Sequence, residues 1–332
     1  MRIEKDILAQ ALRELEAERD SRARTLEEHR SEVYDAVPRI RQIDAALQTT
    51  AAAVLRAALE SGDDPSAAVA RLRDQNLDLQ RERTRLLIEA GYSAGYLDDR
   101  PACPACGDVG YIGSTPCECL KQRCAALRTA RLSTILPIRD QTFERFRLDY
   151  YPDMPDARLG ISPRENMRCN LKLCRDYAYG FGGPAEHLFL YGSAGLGKTY
   201  LSTCIAGVVA ARGFSVAYDT TIHVLGCYES AKFGGPDADD AQRSIRKYEQ
   251  SDLLILDDLG TELATQFTVS ALYNLLNTRL MTHRAVIVNT NLLPGSLAEH
   301  YSPAIASRIL GEFTHLRFFG NDIRLLKKKE GR

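Results

Sequence analysis

"HLFLYGSAGLGKTY", residues 187–200, sets an apolar run of strand character against a glycine-rich turn, and the helix-like "TYLSTCIAGVVAA" (199–211) follows it directly. Gly192, Ser193, Ala194, Gly195, Leu196, Gly197, Lys198 and Thr199 satisfy G-x-x-x-x-G-K-[ST] at every fixed position, in the strand, turn and helix context that gives the pattern its meaning. Glycines allow the backbone to wrap with its N–H groups pointing inward, and the helix that begins there aims its positive end at bound phosphates. Lys198 can then reach β and γ oxygens, while Thr199 can ligate Mg²⁺. A structural glycine turn is the bland alternative, and it does not explain why the turn joins a strand to a helix. The stretch predicts an ATP site.

Working outward, "FSVAY" (214–218), "LLILDD" (253–258), "AVIVNTN" (285–291) and "HLRFFG" (315–320) are short β-rich runs separated by amphipathic helical segments. That alternation from about residue 165 onward predicts βαβ units, with a parallel sheet covered on both faces by helices. In "LLILDDLG" four aliphatic residues lead to Asp257 and Asp258, as in a buried strand ending at a nucleotide. Asp257 would act on the Mg²⁺ shell, and Asp258 would orient or deprotonate the attacking water. A strand-end turn with solvated acids is the competing reading of the pair. Asn291, at the end of the next strand, would hold the water or a γ-phosphate oxygen, although Asn at such a position is often only a turn residue.

The order of P-loop, "LLILDD", "VIVNTN" and "SRILGEF" (307–313) resembles the AAA+ ATPases, and within them the bacterial replicative-helicase loaders of the DnaC/DnaI type and their IstB relatives. The likeness covers about residues 140–328. It implies a sheet of order 5-1-4-3-2, with Lys198 and Thr199 as the Walker A pair, Asp257 and Asp258 as Walker B and Asn291 as sensor 1. It further implies Arg308 as an arginine finger reaching a neighbouring subunit's γ-phosphate and Arg324 as sensor 2. Self-assembly through Arg308 in the ATP-bound state would then control turnover. Many AAA+ proteins have Glu where this chain has Asp258; the shorter side chain positions water less well, so slow hydrolysis is expected.

Ahead of this domain the character changes. Residues 1–98 are rich in Ala, Leu, Glu and Arg, with apolar positions at helical spacing such as Ile7, Leu8, Leu12 and Leu15. Pro38 and "SGDDPS" (61–66) punctuate the region into two or three helices. In the last of them Leu72, Leu79 and Leu86 recur every seven residues, which suits either a self-contained hairpin or a short partner-binding coiled coil. Residues 99–124 form a cysteine module: Cys103, Cys106, Cys117 and Cys119 give C-x₂-C, ten intervening residues and C-x-C, with Cys124 as a substitute ligand. The knuckle-like first pair predicts a closed, structural Zn²⁺ site, with thiol redox chemistry or plain core cysteines as alternatives. Residues 125–164 read as a connector and 165–332 as the ATPase domain. "CPACGDVGYI" with "CEC" ahead of a P-loop resembles the DnaI-like loaders.

Composition limits the function classes. A net charge of −1 gives no global attraction to nucleic acid, so DNA binding would need a local patch. Lys232, Phe233, Arg243, Arg246 and Lys247 offer one, opposed by Asp237, Asp239 and Asp240, and the basic "RLLKKKEGR" (324–332) offers another. The charged N-terminus and the lack of a long apolar run predict a cytoplasmic protein with no membrane contact. Cys169, Cys174, Cys204 and Cys227 read as small buried hydrophobes. What the resemblance to the DnaC/DnaI-type loaders implies is a loader that grips a hexameric replicative helicase and delivers it to single-stranded DNA. The alternatives are an IstB-like transposition helper and a nucleotide-controlled scaffold that never touches DNA.

Overall fold

A computed structural model describes residues 4–60, 66–234 and 237–329. Most of the "SGDDPS" punctuation (61–65) and the last residues of the basic tail (330–332) lie outside the described residues. The chain divides into two compact units, Ala9–Leu120 and Lys121–Arg332 with Met1–Leu8.

The first unit holds most of α1 (Lys5–Ala36), then α2 (Pro38–Glu60) and α3 (Ser66–Glu89), followed by a small hairpin of β1 (Tyr111–Ile112) and β2 (Thr115–Pro116). Val33, Ile40, Leu87 and Leu97 make a small buried core there, flanked by Tyr34, Tyr92 and Tyr96. Asp44 on α2 accepts from Arg83 Nε of α3 at 2.6 Å and from Tyr34 OH of α1 at 2.8 Å, which ties the three helices by polar contacts where apolar area is scarce. The side chain of Leu72 lies outside the described residues, and Leu79 and Leu86 are half-buried.

The second unit continues through α4 (Glu118–Ser133) and α5 (Pro163–Gly180), then β3 (His187–Gly192), α6 (Lys198–Ala211), β4 (Val216–Thr220), α7 (Thr221–Phe233) and α8 (Ala238–Gln250). It closes with β5 (Leu253–Leu259), α9 (Gln266–Met281), β6 (Ala285–Thr290), α10 (Leu297–His300), α11 (Pro303–Glu312), β7 (Phe313–Phe318) and α12 (Ile323–Lys329). The five strands β3 to β7 pair in parallel in the order β4-β5-β6-β3-β7. Counted along the chain from β3, this is the expected 5-1-4-3-2. Alternation along each strand explains why both faces are covered. Leu188, Leu190, Ile255 and Ile287 pack on one side against Met167 and Cys174 of α5 and Leu201, Ile205 and Val209 of α6. Phe189, Leu254, Leu256, Val286 and Val288 pack on the other against α7, α8, α9 and α11, through residues such as Val224, Ile245, Leu272 and Ile305.

Cys174, Cys204 and Cys227 are buried as expected, but Cys169 is exposed. Met167, Asn170, Cys174 and Tyr177 define the inward stripe of α5, and Cys169 falls between its positions and faces outward. At the opening edge of the strands the fully buried Arg279 donates to the carbonyls of Tyr248 at 2.5 Å and Ala285 at 2.6 Å, joining α8 to β6. Beside it His187 accepts from the Val286 amide at 3.2 Å through Nδ1.

Burial, then the nearby Arg279 and His283, push His187 down to about 4. Its neutral form is the folded one, while the unfolded chain protonates near 6.5. Its contribution is therefore complete above that value and is lost as pH falls toward 4, a difference on the order of 2 kcal/mol. Denaturant unfolding between pH 7 and pH 4 is expected to show a shallower acid loss in His187→Gln, which keeps an acceptor and cannot ionise.

Candidate nucleotide site and cysteine cluster

The strand order places the carboxyl ends of β3, β5 and β6 side by side, and β3 has neighbours on both sides, the switch point at which open α/β sheets bind ligands. A cleft of about 800 Å³ opens there, lined by the P-loop from Ala194 to Thr199 and by Asp258, Asn291 and Arg324. A second cleft, of about 840 Å³, lies at the opposite edge of the sheet near Tyr177, Phe181 and Arg284, away from the glycine-rich turn.

The P-loop needs its glycines. Gly192 has φ +139°, and a Cβ there would sit 1.9 Å from the Phe318 carbonyl oxygen. Gly195 has φ +74°, and a Cβ would meet the Asp322 carboxylate at 2.0 Å. Asp322 also caps α12 by accepting from the Arg324 amide at 2.8 Å, and the Ile323 amide donates to Gly195 O at 3.0 Å. The chain's last segment thus closes on the loop and carries Arg324 into the cleft.

Lys198 is buried, with 6% exposure. Its ammonium donates to Gly192 O at 2.7 Å, Ser193 O at 2.8 Å and Asn291 Oδ1 at 2.7 Å, which brings the lysine of the glycine-rich turn and the sensor-1 candidate into direct contact. Burial pushes Lys198 down to about 8, with Asp258 and Asp257 opposing that shift and Arg324 adding to it. The amine is still largely protonated at neutral pH, and its charge faces the phosphate loop.

Asp257 is enclosed at 3% exposure. Its Oδ1 accepts from Asn289 Nδ2 at 2.9 Å, the Asp258 amide at 3.1 Å and Thr199 Oγ1 at 3.3 Å, and its Oδ2 accepts from Tyr218 OH at 2.6 Å. Asn289 also donates to Ser202 Oγ at 2.8 Å. These contacts fix the carboxylate against Thr199, the oxygen pair suited to a hydrated divalent cation. Asp258 behaves differently. It adopts φ +53° where the β5–β6 register shifts between Leu256 and Leu259, so the bulge turns its side chain into the cleft. Partial burial, then the Asp257 carboxylate, raise its pKa above the usual range, while Lys198 and Arg324 pull it back. A raised carboxylate beside a held one suits a proton acceptor.

Arg308 sits elsewhere. It lies on α11, donates to Tyr273 OH at 3.2 Å and stacks 5.3 Å from that ring, and it does not line the cleft. Of the DNA candidates, Lys232 lies over the rings of Phe233 and Phe267 at 5.3 and 4.6 Å, and Arg243 is paired with Asp240.

Sequence reasoning missed several contributors. Phe146 and Tyr151, read as connector, form an aromatic wall of the cleft, and Tyr151 OH donates to Leu196 O at 2.9 Å. Tyr218 and Asn289, which hold Asp257, were also missed. For Asn289 a signal existed: a polar residue interrupts the apolar run "AVIVNT" of a strand buried along its whole length.

In the first unit Cys103, Cys106, Cys117 and Cys119 converge, all four sulfurs lying within 4.8 Å of one another; Cys124 is not among them. The Cys103–Cys117 and Cys106–Cys119 Sγ separations are 3.7 and 3.4 Å. A tetrahedron with Zn–S bonds of ~2.3 Å has an edge of about 3.8 Å, so the thiols fit zinc. Although burial opposes it, the Gly110 amide and the neighbouring thiols bring Cys106 down to about 7. Asp108 supports the knuckle: it accepts from the Cys103 amide at 2.7 Å and the Ala102 amide at 3.0 Å and pairs with Arg22. Chelation of a zinc-loaded preparation is expected to release about one metal per chain and to accelerate amide exchange across 103–119, since structural zinc supplies ~10 kcal/mol or more to small modules. Unchanged exchange after full metal removal would contradict a structural zinc site.

Residues 177–330 match the family described as IstB-like ATP binding protein. An ATP-binding protein in an insertion sequence of Mycobacterium tuberculosis is 29% identical over 220 residues, covering 64% of this chain and 80% of that protein. Among solved structures, AMPPCP-bound DnaA from Aquifex aeolicus aligns with a TM-score of 0.44 and 22% identity, over 58% of this chain and 55% of that one. A DnaC helicase loader aligns with a TM-score of 0.45 and 16% identity, over 55% of this chain and 99% of that one. This chain therefore spans little more than half the length of that DnaA. No helix among the described residues is long and apolar enough to cross a membrane. The stretch that is similar to IstB-like ATP binding proteins, residues 177–330, contains the glycine-rich turn and the cleft it lines.

Proposed function

We propose that this protein is a slow, assembly-controlled ATPase that loads a hexameric replicative helicase onto single-stranded DNA. The observation that carries the reading is the pairing, in one chain, of a P-loop cleft holding Lys198, Asp258 and Asn291 with a separate compact unit built from helices and a four-thiol cluster. The first supplies a switch, and the second supplies an adaptor. In this mechanism P-loop amides and Lys198 would hold the triphosphate, and Thr199 and Asp257 would hold a Mg²⁺ ion, which would supply neutralisation of phosphate charge. Asn291, already bonded to Lys198, orients the γ-phosphate and the attacking water. Asp258 takes the proton as water oxygen bonds to the γ-phosphorus and the bond to the β,γ-bridging oxygen breaks, releasing ADP and phosphate. Arg324 adds positive charge from α12, and Arg308 completes the site of a neighbouring subunit.

The test is helicase deposition on circular single-stranded DNA with purified protein and ATP. The reading requires helicase transfer that depends on Lys198 and on residues 1–120, and failure of transfer by an active ATPase would overturn it. A second reading, ATP-dependent help to a transposase, is favoured by the likeness to the insertion-sequence protein. Stimulation of strand transfer by a transposase encoded beside this gene, without helicase transfer, would select it.

A further inference from the structure

We propose that Glu262 and Tyr301 are positioning residues that brace the hydrolytic turn against the helix carrying Arg308, so that nucleotide state and subunit assembly are felt at one hydrogen bond. The proposal rests on the ATP-hydrolysis reading above. Glu262 follows Asp258 by four residues, yet it is turned inward and is only 9% exposed. One carboxylate oxygen accepts from the Gly260 amide at 3.1 Å, and the other accepts from Tyr301 OH. Buried carboxylates are costly unless bonded, and nothing in the fold of a strand-end turn requires one here.

The partner's location gives the contact its meaning. Tyr301 ends the α10 turn, its amide donating to Leu297 O at 3.0 Å. The next residue, Ser302, caps α11 by accepting from the Ile305 amide at 3.3 Å. Arg308 lies on that helix, so the angle at which α11 leaves Tyr301 sets where its guanidinium projects. On the other side, Thr261 Oγ1 donates to Asp258 O at 2.8 Å, which fixes the turn that aims Asp258. The Asn291 loop is locked into the same assembly. Thr290 Oγ1 donates to Leu259 O at 2.5 Å, and the Leu292 amide donates back to Thr290 Oγ1 at 3.0 Å. Gly260, with φ +99°, leaves only 2.6 Å between a Cβ built there and Leu292 Cδ1, so the Leu292 side chain packs against the bare backbone of the Asp258 turn. Three site elements, bearing Asp258, Asn291 and Arg308, therefore meet around one Glu–Tyr pair that does not itself line the cleft. Burial, then the Glu262 contact, raise the Tyr301 pKa, so the phenol stays a donor at physiological pH.

The experiment combines a kinetic cycle with amide exchange on the full chain. Tyr301→Phe and Glu262→Ala are each expected to lower kcat of concentrated protein roughly tenfold, with KM for ATP within about twofold, because the P-loop is untouched. The double variant is expected to be no slower than the worse single variant, the sign of one shared contact. Losses that multiply, or a parent-like kcat in Tyr301→Phe, would overturn the brace. Amide exchange is read independently of hydrolysis, with a non-hydrolysable ATP analogue. In the parent the analogue is expected to slow exchange across 303–308, and in Tyr301→Phe this response is expected to disappear. A parent without ATPase activity that still shows the exchange response sinks the hydrolysis reading and keeps the brace; a response retained in Tyr301→Phe sinks the brace alone.

Discussion

Lys198→Ala is expected to weaken ATP binding by about a hundredfold or more, the cost of removing a desolvated charged partner from a phosphate site. The structure explains why the loss should be specific. Lys198 is buried against two loop carbonyls and Asn291, and burial has already brought it down to about 8, so the fold gains little from this charge for its own sake. Its electrostatic work is directed at the cleft, which it lines together with Asp258. The measurement is a calorimetric titration with Mg·ATP alongside a thermal melt. Affinity should collapse while the midpoint of unfolding moves by only a few degrees. A melt that collapses together with binding would show instead that the lysine is a structural staple for the loop.

Arg308→Ala is expected to leave ATP affinity within about twofold and to lower turnover in concentrated protein by ~10³ or more, the range of an arginine finger. Within one chain Arg308 contacts Tyr273 and does not line the cleft, so its removal leaves the phosphate cradle intact. The parent's specific activity should climb with protein concentration, and the variant's should stay flat. Equal rates for the two at high concentration would remove Arg308 from the site, leaving the Tyr273 contact as its role.

Much of this arrangement is legible in the sequence, for reasons that differ from residue to residue. The P-loop could be read because phosphate binding constrains backbone geometry, and only glycines at fixed spacing supply it. The parallel sheet could be read because strands buried on both faces become uninterrupted apolar runs. The four thiols could be read because local spacing nearly fixes their geometry. What escaped were contacts between distant segments. Tyr218 reaches Asp257 across β4 and β5, Asp322 reaches Gly195 across more than a hundred residues, and Tyr151 folds from the connector onto Leu196. None has a periodic or spacing signature, since each depends on the strand order that brings its partner close. Cys169 shows the same limit on a smaller scale: its exposure follows from which stripe of α5 meets the sheet, which composition does not reveal.

The central claim, that the 192–199 turn binds a nucleoside triphosphate, is tested most directly by calorimetric titration of the folded, zinc-loaded protein with ATP and with ADP in the presence of Mg²⁺. The account predicts saturable binding of about one nucleotide per chain, lost in Lys198→Ala. No heat of binding at millimolar nucleotide from a protein shown to be folded would contradict it.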